Sequence, residues 1–219
     1  GSTNSNGVLF VESGVPSGNQ KFKATKDHTA QTITTNSMAT FQTAKYKIKV
    51  ENSQGTALSN IPVKFNTHYS AYMDVGDTDN NGLASIELFA GTRKFKAIKD
   101  YTSQAGNLTI SSPGGNGMIT FKTTNHVIHV TNSTGSNLAN INVKFNHKYT
   151  SYMNVGTTGP DGKTSIELFR GNRKFMATKD YTHQTGILNV PAPATSGTIT
   201  FQTAKATALV KDCDNGLPI

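Results

Sequence analysis

Apolar and polar residues alternate along most of this chain. In 46–51, Tyr46, Ile48 and Val50 are separated by Lys47 and Lys49, so an extended strand carries one apolar face and one basic face. The stretch 61–66 does the same, with Val63 and Phe65 on one side and Lys64 on the other. Pro62 has no amide to give to a ladder, so this strand is expected to begin at a sheet edge or just past it. Residues 68–75 read as the next strand. The run 77–82 closes in Asn81-Gly82, a pair that accepts the positive φ angles of a tight hairpin. Residues 83–89 set Ile86 and Leu88 against Ser85 and Glu87, and 93–99 turn Phe95 and Ala97 inward. With 107–110 and 117–123 this makes about seven short strands. No window places apolar residues at helical spacing over three turns, so no helix is expected. Short alternating strands punctuated by turns predict an antiparallel β-sandwich.

The alternation itself repeats. Shifted by 80 residues, the sequence aligns with itself without a gap from Tyr46/His126 to Thr123/Thr203. "IPVKFN" (61–66) meets "INVKFN" (141–146), "SIELF" (85–89) meets "SIELF" (165–169), and "GMITFKT" (117–123) meets "GTITFQT" (197–203). A repeated unit of this size is normally one folding module. The expected organisation is therefore two complete sandwich repeats, residues 45–124 and 125–204. Residues 1–44 match the second half of a preceding repeat, and 205–219 the first strand of a further one. The whole reads as a piece of a longer array, with Gly1-Ser2 as a cloning remnant. The stretch 40–50, where one unit passes into the next, holds no Pro, no Gly pair and no Ser-rich run. Modules joined so briefly are expected to sit like beads on a short, stiff string.

Composition narrows this picture. Only 35% of residues are hydrophobic and mean hydropathy is −0.41, which suits thin sandwich cores better than one large domain. No run of apolar residues is long enough to span a membrane. A net charge of +8 favours acidic partners such as polysaccharides or other anionic surface polymers. The lysines are scattered along strands, however, which reads first as solvated faces and disfavours nucleic acid. The lone cysteine, Cys213, can form neither an internal disulfide nor a zinc site.

The order "V-x-N-S-x-G … SIELFxGxRKFxAxKDYTxQ … ITFQTA" resembles the tandem repeats of large bacterial cell-surface proteins. More loosely it is similar to the prealbumin-like, CnaB-type Ig-like sandwiches of surface stalks. The sequence departs from those repeats where Phe89-Ala90-Gly91 and Phe169-Arg170-Gly171 replace a Leu-Pro-Gly. The resemblance implies an extracellular, array-forming Ig-like module without catalytic residues or cofactors. It also raises the Lys–Asn/Asp crosslink of CnaB modules, for which Lys64, Asn66, Glu87 and their copies Lys144, Asn146 and Glu167 are the residues to hand. That crosslink needs a desolvated lysine, and Lys64 alternates to the polar face.

Candidate sites fall on the repeated basic-aromatic phrase. Arg93, Lys94 and Tyr101 recur as Arg173, Lys174 and Tyr181, and Tyr69 and Tyr72 as Tyr149 and Tyr152. Such residues, outward and repeated, form a ridge able to bind an anionic polymer or stack on sugar rings, each weak site adding to the next. The competing and stronger reading is packing: Tyr101 as core or edge filler, lysines keeping an edge soluble. Asp77, Asp79 and Asn81 have the alternate spacing of a calcium loop, but the second block reads "TTGPDG" and the closing Glu is missing, so a hairpin turn is favoured. The histidines do not recur with any acid or nucleophile, and no enzyme is expected. Two functions follow: a non-catalytic stalk or adhesin repeat, secreted or on the cell surface, and, as alternative, a carbohydrate-binding array.

Overall fold

The computed structural model describes residue 7, residues 17–66, 71–146 and 151–210, and residue 213. Among the described residues every regular element is a strand. Among them no helix is long and apolar enough to cross a membrane.

Strands β1 (Gln20–Lys26) and β2 (Thr29–Thr35) form a hairpin of their own. The first block supplies β3 (Ala44–Glu51), β4 (Pro62–Asn66), β5 (Met73–Asp77), β6 (Leu83–Leu88), β7 (Gly91–Lys99), β8 (Thr102–Ile110) and β9 (Asn116–Lys122). The second supplies β10 (Thr124–Thr131), β11 (Asn142–Asn146), β12 (Met153–Thr157), β13 (Lys163–Leu168), β14 (Gly171–Lys179), β15 (Thr182–Val190) and β16 (Ser196–Gln202). Strands pair in the order β6-β3-β9 and β5-β4-β7-β8, and both orders recur as β13-β10-β16 and β12-β11-β14-β15.

The alternation read from the sequence is what packs these layers. Along β3, Ala44, Tyr46, Ile48 and Val50 are wholly buried. The facing sheet contributes Val63, Phe65, Phe95 and Ala97, with the Tyr46 and Phe95 rings 5.7 Å apart and Phe65 6.4 Å from Phe95. Burying such a side chain is worth about 1.5–3 kcal/mol, so these few residues carry much of the block's stability. The second block has its own cluster around Ile128, Val143, Phe145, Leu168 and Phe175. Phe169, a second-block residue, packs into the first cluster instead.

Three features differ from the sequence reading. The sandwich is not wholly antiparallel: β9 runs parallel to β3, with Lys45 opposite Asn116 through Glu51 opposite Lys122, and β16 runs parallel to β10. The first strand of a block is central to its sheet, and the last lies beside it pointing the same way. The chain therefore enters a block at one end and leaves at the other. Secondly, β4 is an interior strand between β5 and β7, and Pro62 is accommodated as its first residue. Thirdly, β5 begins at Met73 rather than at residue 68. Its register against β4 shifts between Val63 and Lys64, beside Gly76 at φ 124°. Of the strand expected over 68–75, residues 68–70 lie outside the described residues, as do their counterparts 148–150, and Ala71 and Tyr72 precede β5.

The turn expected at Asn81-Gly82 is present, but it is not a hairpin: β5 and β6 on either side of it belong to different sheets, so the turn carries the chain from one layer to the other. Gly82 has φ 71°, and a Cβ there would stand 2.5 Å from the Val50 carbonyl oxygen, so both conformation and space demand glycine. Gly162 repeats this at 2.7 Å from the Val130 oxygen.

Candidate functional site

The repeated phrase "KDYT" is a turn. Lys99 pairs with Thr102, leaving Asp100 and Tyr101 as a two-residue connection between β7 and β8 with φ of 46° and 59°. Asp180 and Tyr181 repeat it at 47° and 63°, and Asp27 and His28 at 45° and 58°. Paired positive φ angles are the type I′ pattern, which matches the twist of a hairpin. For residues with a Cβ that region costs roughly 1–2 kcal/mol each, so local preference alone would not select it. Tyr101 is accordingly neither core nor edge filler: it stands at the turn's tip, 68% exposed, and Tyr181 is fully exposed.

What the turn positions is the next residue. The hydroxyl of Thr102 donates to the Lys99 carbonyl at 2.7 Å, and the residue is entirely buried. Its oxygen also accepts the backbone amide of Phe169, from the following block, at 3.0 Å. The same contact occurs one joint earlier. Thr29 donates to the Lys26 carbonyl at 2.6 Å and accepts the Phe89 amide at 3.1 Å. A buried amide left without an acceptor costs about 1–3 kcal/mol, so each threonine fixes where the next block's Phe can sit.

The Phe corner is stiffened from its own side. Arg173 donates through Nη2 to the carbonyls of Phe169 (2.6 Å) and Arg170 (3.1 Å), and through Nη1 to that of Asn172 (2.9 Å). Arg93 does likewise to Phe89 (2.7 Å), Ala90 (3.3 Å) and Thr92 (2.9 Å). Tyr46 adds a bond from its hydroxyl to the Gly91 carbonyl at 2.7 Å. Burial pushes the Tyr46 phenol up from its ordinary value and Arg173 down. The ring of Phe89 meets Phe41 edge-on at 6.4 Å, and that of Phe169 lies in the cluster containing Val50, Ile61, Ala97 and Phe121.

An acid completes the joint. The Glu167 carboxylate accepts the Ser53 amide at 3.2 Å, the Ser53 hydroxyl, and the Thr123 hydroxyl at 2.5 Å. Glu87 accepts the Thr43 hydroxyl at 2.9 Å at the earlier joint. Thr123 alone separates β9 from β10, and its amide donates to the Glu51 carbonyl at 3.0 Å. The Glu51 carboxylate is held by Lys49 at 2.6 Å and Lys122 at 3.3 Å. The hydrogen bond from Lys49, ahead of that from Lys122, holds the pKa of this carboxyl below the usual carboxylate value.

The residues expected to form a binding ridge are divided by this geometry. Arg93 and Arg173 turn to backbone carbonyls, and Arg173 is only 4% exposed, so neither lines an outer ridge. Lys94 and Lys174 are exposed. Tyr72 is half-buried just before β5 with the Lys96 ammonium 5.2 Å from its ring centre, and Tyr152 is half-buried beside a chain that has Met176 in place of Lys96. Tyr69 and Tyr149 lie outside the described residues. The loop 77–82 uses its acid locally: Asp79 Oδ1 accepts the amides of Asn81 and Leu83 at 2.8 and 2.9 Å, while Asp77 belongs to β5. Lys64 faces outward, ion-paired with Asp74 at 2.9 Å. Sequence reasoning passed over Thr102 and Thr123, and met Phe169 only as a departure from a motif and Glu167 only as a candidate crosslink acid. Their recurrence at Thr29, Phe89, Glu87 and Thr43 was the available signal, obscured because each half of the contact lies in a different block.

No family model matches the chain, and no curated protein matches it. Solved structures it resembles include the Bacillus anthracis TIE protein, at 13% identity and TM-score 0.33 over 84% of this chain and 40% of that one. The streptococcal ancillary pilin aligns at 13% identity and TM-score 0.36 over 73% of this chain and 62% of that one. BcpA, the major pilin subunit of Bacillus cereus, aligns at 7% identity and TM-score 0.31 over 75% of this chain and all of the other. The chain thus spans 40% and 62% of the length of the first two. At these scores the likeness carries no argument about family or activity.

Proposed function

We propose that residues 45–124 and 125–204 are tandem Ig-like sandwich modules of a cell-surface stalk or adhesin-type repeat. Their task is to hold successive modules end to end rather than to carry out chemistry. Residues 1–44 and 205–219 are then parts of flanking modules. The observation that carries this reading is the direction of the chain: parallel first and last strands send it out at the far end of each block. A single residue, Thr123, then leads into the next block. The Thr102–Phe169 and Glu167–Thr123 contacts hold that joint at one angle. Among the described residues no geometry favours a polysaccharide-binding ridge over this spacer role, since its two arginines are engaged at the corners.

Small-angle scattering tests the proposal. A compact chain of this length has a radius of gyration of about 17 Å. Blocks strung end to end give a value well above that, with the cross-section of one sandwich. A radius near 17 Å, unchanged by concentration, overturns the stalk reading.

A further inference from the structure

The two joints show a socket filled twice, and the far end of the second block carries the same socket a third time. There, Thr182 stands where Thr102 and Thr29 stand in the filled copies, its hydroxyl donating to the Lys179 carbonyl at 2.7 Å. The turn before it has the same positive φ pair, Asp180 and Tyr181. Around it lies an open groove of about 500 Å³ lined by Val130, Ile141, Ala177, Thr182 and Phe201 among others. These match by the 80-residue shift Val50, Ile61, Ala97, Thr102 and Phe121. Phe169 docks on that set in the first block. Exposure separates the copies: Thr29 is 3% and Thr102 0% exposed, whereas Thr182 is exposed. Thr203, in the place of Thr123, is half-buried rather than buried.

We propose that this groove is a docking socket for the Phe-x-Gly corner of another block of the same repeat, an inference that rests on the tandem-module reading. The corner's phenylalanine ring fills the groove against Phe201, and its amide donates to the Thr182 hydroxyl oxygen. The glutamate of its "SIELF" strand accepts from the Thr203 hydroxyl, with Ser133 presented as Ser53 is. Specificity comes from needing all three at once: a ring of the right size, an amide beside it, and a carboxylate two residues earlier. The rim also differs from the filled socket. Glu51 and Lys122 are replaced by Thr131 and Gln202, so the third socket offers less charge and relies more on the ring and the threonine.

The test uses the whole chain with a further copy of residues 125–204 inserted between Ala204 and Lys205. Thr102→Val and Thr182→Val are placed singly in this longer protein and in the 219-residue protein, and the thermal midpoint is read. Docking predicts that Thr102→Val lowers the midpoint by several degrees in both proteins. It predicts that Thr182→Val does so in the longer protein and has little effect in the shorter one. Amide exchange at the added copy's phenylalanine, in the unsubstituted longer protein, should be slowed as strongly as at Phe169. If Thr102→Val is destabilising but Thr182→Val is silent and that amide exchanges freely, the third socket is not a docking site. If Thr102→Val is silent too, the threonine contact does not hold joints at all and the tandem-module reading falls with it.

Discussion

Tyr46 and His126 occupy the same place in successive blocks and answer the same need differently. Both are wholly buried in the middle of a three-stranded sheet, packed on the matching rings of Phe95 and Phe175 at 5.7 and 6.0 Å. The tyrosine hydroxyl reaches across to the corner carbonyl of Gly91. The shorter imidazole does not. In its neutral form His126 donates through Nδ1 to the Thr124 carbonyl at 3.0 Å, while Nε2 is buried without a hydrogen-bond partner among the described residues. Burial, reinforced by the neighbouring Arg173 charge and opposed by the Thr124 bond and Glu167, holds the imidazole below its ordinary value. The corners differ in the opposite sense. Arg173 is buried and Arg93 half-buried, because Phe169 docks on a complete block whereas Phe89 docks on a two-stranded hairpin. A repeated motif thus takes its strength from its neighbour, and a substitution inside a block shows where that block relies on its joint.

The largest effect should come from emptying the joint. Phe169→Ala is expected to cost about 3–5 kcal/mol by denaturant unfolding, as for a fully buried ring. Phe89→Ala should cost visibly less, because its partner sheet is thinner; equal losses would dissolve the contrast. Next, Tyr101→Gly should stabilise the first block by about 1 kcal/mol by removing the penalty of a positive φ, provided the exposed ring has no partner. His126→Tyr should add about 1 kcal/mol through a restored hydroxyl bond. It should also flatten a pH dependence specific to the second block. His126 has a depressed value when folded, so above about pH 6.5 it is neutral in both states. As pH falls below that, the unfolded chain takes the proton first, and stability is lost progressively until the folded imidazole also titrates. Block-resolved amide exchange from pH 7 to 5 reads this: loss confined to residues 125–204, and absent in His126→Tyr. The smallest effect belongs to Glu51→Gln. Its lysine partners are partly solvated, so the change should stay under about 1 kcal/mol at neutral pH. It should fade as pH falls from about 4.5, where the unfolded carboxyl takes its proton, and be gone once the folded carboxyl, held lower, is protonated as well.

Much of the sandwich could be read before any coordinates. Val63, Phe65, Phe95 and Ala97 fell on one face by period-two alternation, and Asn81-Gly82 announced a tight turn, because both signals are local; that the turn crosses between sheets instead of closing a hairpin was not local and not legible. Strand direction was not legible: β9 reads as alternating whether it lies parallel or antiparallel to β3, since the partner is chosen by the path of the whole chain. Nor was the turn at Asp100-Tyr101, because neither residue is the glycine or asparagine that usually marks positive φ. The site was least legible. Arg93 looked like a surface charge in a basic phrase, and only its contact with the carbonyls around Phe89 makes it an internal brace. Thr102 and Phe169 are 67 residues apart, and nothing in either local stretch names the other.

The parallel ladder has a consequence for a protein under tension. If the two ends of the chain are pulled apart, β3 is drawn back along its own axis while β9 is drawn forward, so the pair slides in shear. All seven register positions from Lys45/Asn116 to Glu51/Lys122 then bear load together instead of opening one after another like a zipper. Strands β10 and β16 present the same seven-position grip, so each block meets force with its strongest direction aligned to the pull.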